Sequence, residues 1–215
     1  MRGKVFATYT GLIVFLDVVF FILMLVLGFN AFTCESNICS DVSLRPNDVL
    51  GGNNLWTFFT SMFMHAGLTH LFVNMLSLVF IGGFVEKLIG KKRFIWLYLG
   101  SGLFAGIFFV LVALITGTDL NVFAVGASGA IFGLGGLLAV LTPRLPVLVF
   151  FIIPMPMWVA MIFLIGVLWL LSASLSLPIG NVAHLGGFIV GLAYGFYLKQ
   201  KYPRKASMIS RYFSK

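Results

Sequence analysis

The chain has 215 residues, of which 60% are hydrophobic and 9% charged. Ordinary soluble domains hold about 45–50% apolar residues, so this composition excludes one and points to a polytopic membrane protein. The net charge of +8 would suit a nucleic-acid partner, but the basic residues lie in short loops between apolar runs; they report topology, and no nucleic acid is expected.

Apolar stretches of roughly 20 residues, enough to cross a ~30 Å hydrocarbon core, fall at 8–33, 69–86, 94–116, 126–142, 147–172 and 181–199. They predict an all-α bundle of six transmembrane helices in the cell membrane, a single domain over 1–215 with its core at about 56–200. Arg2, Lys4, Lys87, Lys91, Lys92, Arg93, Arg144 and the basic residues from Lys199 to Lys215 fall at ends that six spans place on one side. Only Arg45 falls on the other. By the positive-inside rule both termini are cytoplasmic, and the loops near 34–68, 117–125 and 173–180 are external.

The first span follows basic residues as a signal peptide would, but it is too long and no small-residue cleavage site follows, so a retained anchor is expected. Asp17 is the acid in its middle, where a carboxyl is costly enough to need a polar partner or water. Cys34 and Cys39 lie in the external loop, where a bridge and two free thiols are equally consistent. Residues 55–64, rich in aromatics and Met, are too short to cross and suit the outer interface or a lid on the bundle.

The second span opens with His65, His70 and Asn74; the last two share a helical face. Polar side chains at this depth serve either function or hydrogen-bonded packing. In the third span Gly102 and Gly106 form a small-residue pair for close helix approach. The fourth runs only from about Gly126 to Leu141, roughly 24 Å at 1.5 Å per residue. Its start, carrying Ser128, is therefore expected below the outer surface, reached by a loop that lines a wet cavity. Pro154 and Pro156 in the fifth span predict a kinked or loosely held helix. In the sixth, His184, Gly187, Gly191 and Gly195 form one stripe, expected to pair with Ser128, Gly135 and Ala139 of the fourth, with Phe132 on the same side.

Threading places His70, Asn74, Ser128 and His184 together in the outer half. A serine becomes a nucleophile when a histidine stands within about 2.6–3.2 Å, and His184 is the candidate base. Glu86 and Asp17 fall at the wrong depth and Asp119 is in a loop, so a Ser-His dyad without a third acid is expected. Phe132, one turn from Ser128, is placed to pack beside the imidazole. The Asn74 amide, the His70 ring and the Ser128 backbone N–H can supply oxyanion donors, and His65 is a candidate helper.

The motifs Gly126-Ala127-Ser128-Gly129, His65/His70/Asn74, Gly82-Gly83-Phe84-Val85-Glu86 and Ala183-His184-Leu185-Gly186-Gly187 occur here in an order and spacing that resembles a rhomboid intramembrane serine protease. The match extends from Trp56 to Gly195. The resemblance implies a six-helix core that cleaves transmembrane segments of other proteins at or near the outer leaflet, favouring small residues and helix-destabilising sequences. Metal and cofactor are not needed. It carries the nucleophile onto Ser128, the base onto His184 and the oxyanion donors onto His70 and Asn74, with Gly126 in a supporting turn. The fifth span near Phe151 to Trp158 is similar to the family's proposed lateral gate for substrate. Two positions depart from the family: Trp56-Thr57 stands for a Trp-Arg pair, and Phe132 stands where many members have tyrosine.

Three rivals remain. A membrane metalloprotease would use the three histidines, but there is no His-Glu-x-x-His helix. A small transporter would use the polar cavity, and a non-catalytic rhomboid-like protein would hold transmembrane clients without cutting them.

Overall fold

The computed structural model describes residues 8–27, 37–150, 152–175 and 180–213. Cys34 and Phe151 lie outside this set, as does the side chain of Cys39. The elements in chain order are α1 (Tyr9–Val26), α2 (Asn37–Val42), α3 (Pro46–Leu50), α4 (Thr57–Thr60) with a 3₁₀ turn (Ser61–Phe63), and α5 (Leu68–Ser77). A π-helical turn (Leu78–Gly82) joins α5 to α6 (Gly83–Ile89). There follow α7 (Lys91–Thr116), α8 (Ser128–Leu141), strands β1 (Pro146–Val149) and β2 (Ile153–Pro156), α9 (Met157–Leu175), α10 (Asn181–Lys201) and α11 (Pro203–Tyr212).

Among the described residues five helices are long and apolar enough to cross a membrane: Tyr9–Val26, Leu68–Ile89, Lys91–Thr116, Met157–Leu175 and Asn181–Lys201. The sixth apolar helix, α8, has 14 residues, roughly 21 Å against a core of ~30 Å. Their outward faces carry exposed Phe15, Ile22, Phe72, Phe80, Trp96 and Ile115, which suit lipid and would be a liability in water.

α8 is the central helix, flanked by α7 and α10, and its buried residues include Gly129, Gly133, Leu134, Gly136 and Leu137. A Cβ on Gly187 would overlap the Gly129 carbonyl, and one on Gly191 would overlap the Gly133 carbonyl. The backbones of α8 and α10 therefore touch, as small residues permit where dispersion replaces the hydrophobic effect. The α10 stripe is as expected, and Ser128 and Phe132 contact its His184, but the rest of the α8 face that meets it is Gly129, Gly133, Gly136 and Val140. Gly135, assigned to that stripe from the sequence, instead faces Met161 of α9. An all-apolar helix has small residues on every side, so its pattern alone does not select the face.

The fifth span is shorter than the apolar run suggests. Pro146–Val149 and Ile153–Pro156 pair as an antiparallel ribbon in which Pro146 pairs with Pro156 and Leu148 with Pro154. Proline supplies no N–H and resists helix, yet sits readily in a two-stranded ribbon where both strands are edges. Pro154 and Pro156 thus precede α9 and do not kink it; this ribbon is the local exception to a helical bundle.

Glu86 takes the backbone N–H groups of Tyr9 and Thr10 at 2.9 Å each and the Thr10 hydroxyl at 2.7 Å. It caps the first turn of α1, where a carboxylate meets the positive end of the helix dipole. Asp17 is buried, and neither carboxyl oxygen has a hydrogen-bond partner among the described residues.

Candidate active site

Two irregular segments fold onto each other above α8. Leu44 and Ala124 exchange both backbone hydrogen bonds, at 3.1 and 2.8 Å, and the Asn47 N–H donates to Leu120 O at 2.9 Å. Within the first segment, the Trp56 indole donates to Asp41 O at 2.6 Å, Thr60 Oγ1 to Val42 O at 2.9 Å and Thr57 Oγ1 to Asn54 O at 2.6 Å. These bonds hold the loop without the arginine that the Trp56-Thr57 departure removes. Arg45 is ion-paired with Asp48 and lies over the Phe123 ring at 5.2 Å.

The second segment delivers Ser128 through a strained turn. Gly126 has φ +118°, a conformation that favours glycine, and its N–H donates to Ser61 O at 2.8 Å. A Cβ there would stand 2.8 Å from His70 Cε1 and 2.9 Å from His70 Nε2. The backbone at Gly126 is thus pressed against the His70 ring, and the chain then turns into α8 with Ser128 as its first residue.

His184 lies in the first turn of α10, its N–H bonded to Gly180 O at 2.9 Å. Its Nε2 is 2.8 Å from Ser128 Oγ. The His184 ring stacks on Phe132, centroids 4.5 Å apart and planes 12° from parallel. Among the described residues its buried Nδ1 has no hydrogen-bond partner, and packing against Phe132 orients the ring. A serine hydroxyl donating to Nε2 puts the neutral ring's proton on Nδ1.

His70 sits in the first turn of α5. Its Nδ1 accepts the Ala66 N–H at 3.2 Å, which leaves the proton of the neutral ring on Nε2, the nitrogen beside Gly126. Asn74 is buried, and its amide donates to the His70 carbonyl at 2.9 Å. His65 is buried edge-on to His70, centroids 5.2 Å apart, with Nδ1 3.3 Å from Phe63 O. Burial first, and then the His70 ring, push its imidazole down to about 3, so it stays neutral. Among the described residues no three His, Cys, Asp or Glu side chains converge as a metal site.

A hydroxyl and an imidazole from separate helices, beside N–H donors, suit acyl transfer. Residues 52–201 match the family model described as the Rhomboid domain. The chain belongs to the rhomboid family. It is 36% identical over 170 residues to RHOMBOID-like protein 1 of Arabidopsis thaliana, covering 79% of this chain and 40% of that protein. It is 34% identical over 144 residues to the mitochondrial Rhomboid protein 1 of Saccharomyces cerevisiae, covering 65% of this chain and 41% of that one. YdcA of Bacillus subtilis, named as a candidate rhomboid protease, is 38% identical over 96 residues, covering 41% of this chain and 46% of that one. This rhomboid thus spans less than half the length of these relatives. The family is one of intramembrane proteases in a lipid bilayer, with inactive members besides.

Two contributions to the site escaped the sequence reading: Ser61 O, which pins Gly126, and the Ala66 N–H, which sets the His70 tautomer. Both are backbone groups, which residue identity does not reveal.

Proposed function

We propose that this rhomboid is an intramembrane serine endopeptidase that cleaves transmembrane segments of other membrane proteins. The carrying observation is the 2.8 Å contact between His184 Nε2 and Ser128 Oγ, within reach of a proton transfer. Ser128 Oγ attacks the scissile carbonyl while its proton passes to His184 Nε2. Negative charge then develops on the carbonyl oxygen. The His70 Nε2–H, the Asn74 amide and the Ser128 backbone N–H are the donors assigned to hold it.

Collapse of the tetrahedral species expels the amine, which takes the proton from His184 and leaves an acyl ester on Ser128. Water, deprotonated by His184, hydrolyses the ester and restores the serine. The ring moves a proton twice, and Phe132 keeps its plane fixed.

Substrate is assigned an approach beside α9, whose buried residues are Met157, Ala160 and Met161, all in its first five positions. The rest of that helix makes few contacts to break. In the assigned orientation both termini are cytoplasmic and Ser128 faces the outer leaflet. The chain as a whole, 1–215, is assigned as one domain.

The test is purified protein in proteoliposomes with a labelled single-span substrate. Ser128→Ala and His184→Ala should each lower turnover by about 10⁴-fold or more while the thermal midpoint stays near wild type. Turnover retained in either would refute the assignment.

A further inference from the structure

The end of the bundle away from Ser128 carries a second feature. α11 leaves α10 at Pro203 and folds back on the bundle through Ala206, which is buried, and Phe213, whose ring meets Phe84 edge-on at 5.7 Å. The arrangement is braced by the Arg93 guanidinium, which donates to the Tyr202 hydroxyl at 3.0 Å, and by Lys201, which donates to the Tyr197 hydroxyl at 2.7 Å.

The other face of α11 presents Arg204, Lys205, Met208, Arg211 and Tyr212, with Met208 68% and Tyr212 76% exposed. Behind it a cleft of about 280 Å³ opens between α11 and the ends of α8 and α10, lined by Val140, Pro143, Lys199, Ser207, Ser210 and Arg211. On the outer side a shallower recess of about 520 Å³ shares Ser207 and Arg211 with it. Among the described residues Glu86 is the acid at this end, and it is occupied by α1. Arg45 and Asp48, at the opposite end, form an ion pair. Among the described residues the cations of the cleft therefore face no carboxylate side chain.

We infer that the cleft between α11 and the ends of α8 and α10 binds the phosphate headgroup of an anionic phospholipid. Lys199 and Arg211 supply the charge and Ser207 supplies a hydroxyl donor to a phosphate oxygen. Large apolar side chains beside the cations select a lipid surface over a dissolved anion. Met208 and Tyr212 enter the acyl boundary while Arg204 and Lys205 stay with headgroups, as in an interfacial basic helix.

Native mass spectrometry of the protein released from micelles doped with equal phosphatidylglycerol and phosphatidylcholine tests this. Wild type should retain phosphatidylglycerol preferentially. The double variant Lys199→Gln/Arg211→Gln should lose that preference by about tenfold, and Lys91→Gln/Lys92→Gln, with equal charge loss elsewhere at this end, should keep it. Ser207→Phe fills the cleft without changing charge; it should lose the preference too, which covers failure of the double variant to fold. Unchanged retention in Ser207→Phe, or equal loss in the Lys91/Lys92 control, would overturn the site. Displacement of the lipid by glycerol 3-phosphate at equal concentration would also overturn it, as a site for free phosphate.

Discussion

His184 and Phe132 set the expectations at the scale of single residues. The imidazole has no hydrogen bond at Nδ1, so the stacked ring of Phe132 is what holds its plane. Phe132→Ala should lower kcat about tenfold or more with little change in KM, since a misplaced base costs the transition state. Phe132→Tyr should recover most of it, and a single-turnover assay separates the two. Asn74 behaves differently. One of its amide hydrogens is spent on the His70 carbonyl, so Asn74→Ala should cost no more than about 10²-fold, at or below the usual loss for one oxyanion donor. Gly126→Ala combines a φ of +118° with a Cβ 2.9 Å from His70 Nε2. It should reduce both activity and thermal midpoint, whereas Ser128→Ala should reduce activity alone.

At the scale of elements, the contact between α8 and α10 fixes the distance between Ser128 and His184. Gly191→Val would force the two backbones apart at the Gly133 carbonyl. Overpacking of this kind costs about 1–3 kcal/mol, and a parallel loss of cleavage is expected, since His184 travels with α10. Circular dichroism melts beside the cleavage assay check the pairing of the two losses. Glu86 belongs to a different element contact, the cap on α1. Its change to Gln should destabilise the fold by about 1–3 kcal/mol and leave Ser128 labelling by a fluorophosphonate probe intact. The six apolar helices were legible in the sequence, whereas α2, α3, α4 and α11 were not, and Gly135 of α8 and the start of α9 fall elsewhere than expected. Glycine occurs on several sides of α8, and an apolar run does not mark where prolines convert helix into ribbon.

For the whole molecule the testable claim is orientation. In a background with Cys34→Ser and Cys39→Ser, Thr118→Cys in intact cells should react with an impermeant thiol reagent, and Lys92→Cys only after permeabilisation. The reverse pattern would invert the assigned topology. The amino-acid sequence by itself determined that this chain is an integral membrane protein and which runs are long and apolar enough to cross a bilayer. Those conclusions depend on hydropathy, run length and charge placement, all properties of the chain read one segment at a time. Only the tertiary structure decided that His184 Nε2 stands 2.8 Å from Ser128 Oγ, that Ala66 fixes the His70 tautomer, and that Glu86 caps α1. Distances between separate helices and the partners of backbone groups are set by packing, and packing has no signature in any one segment.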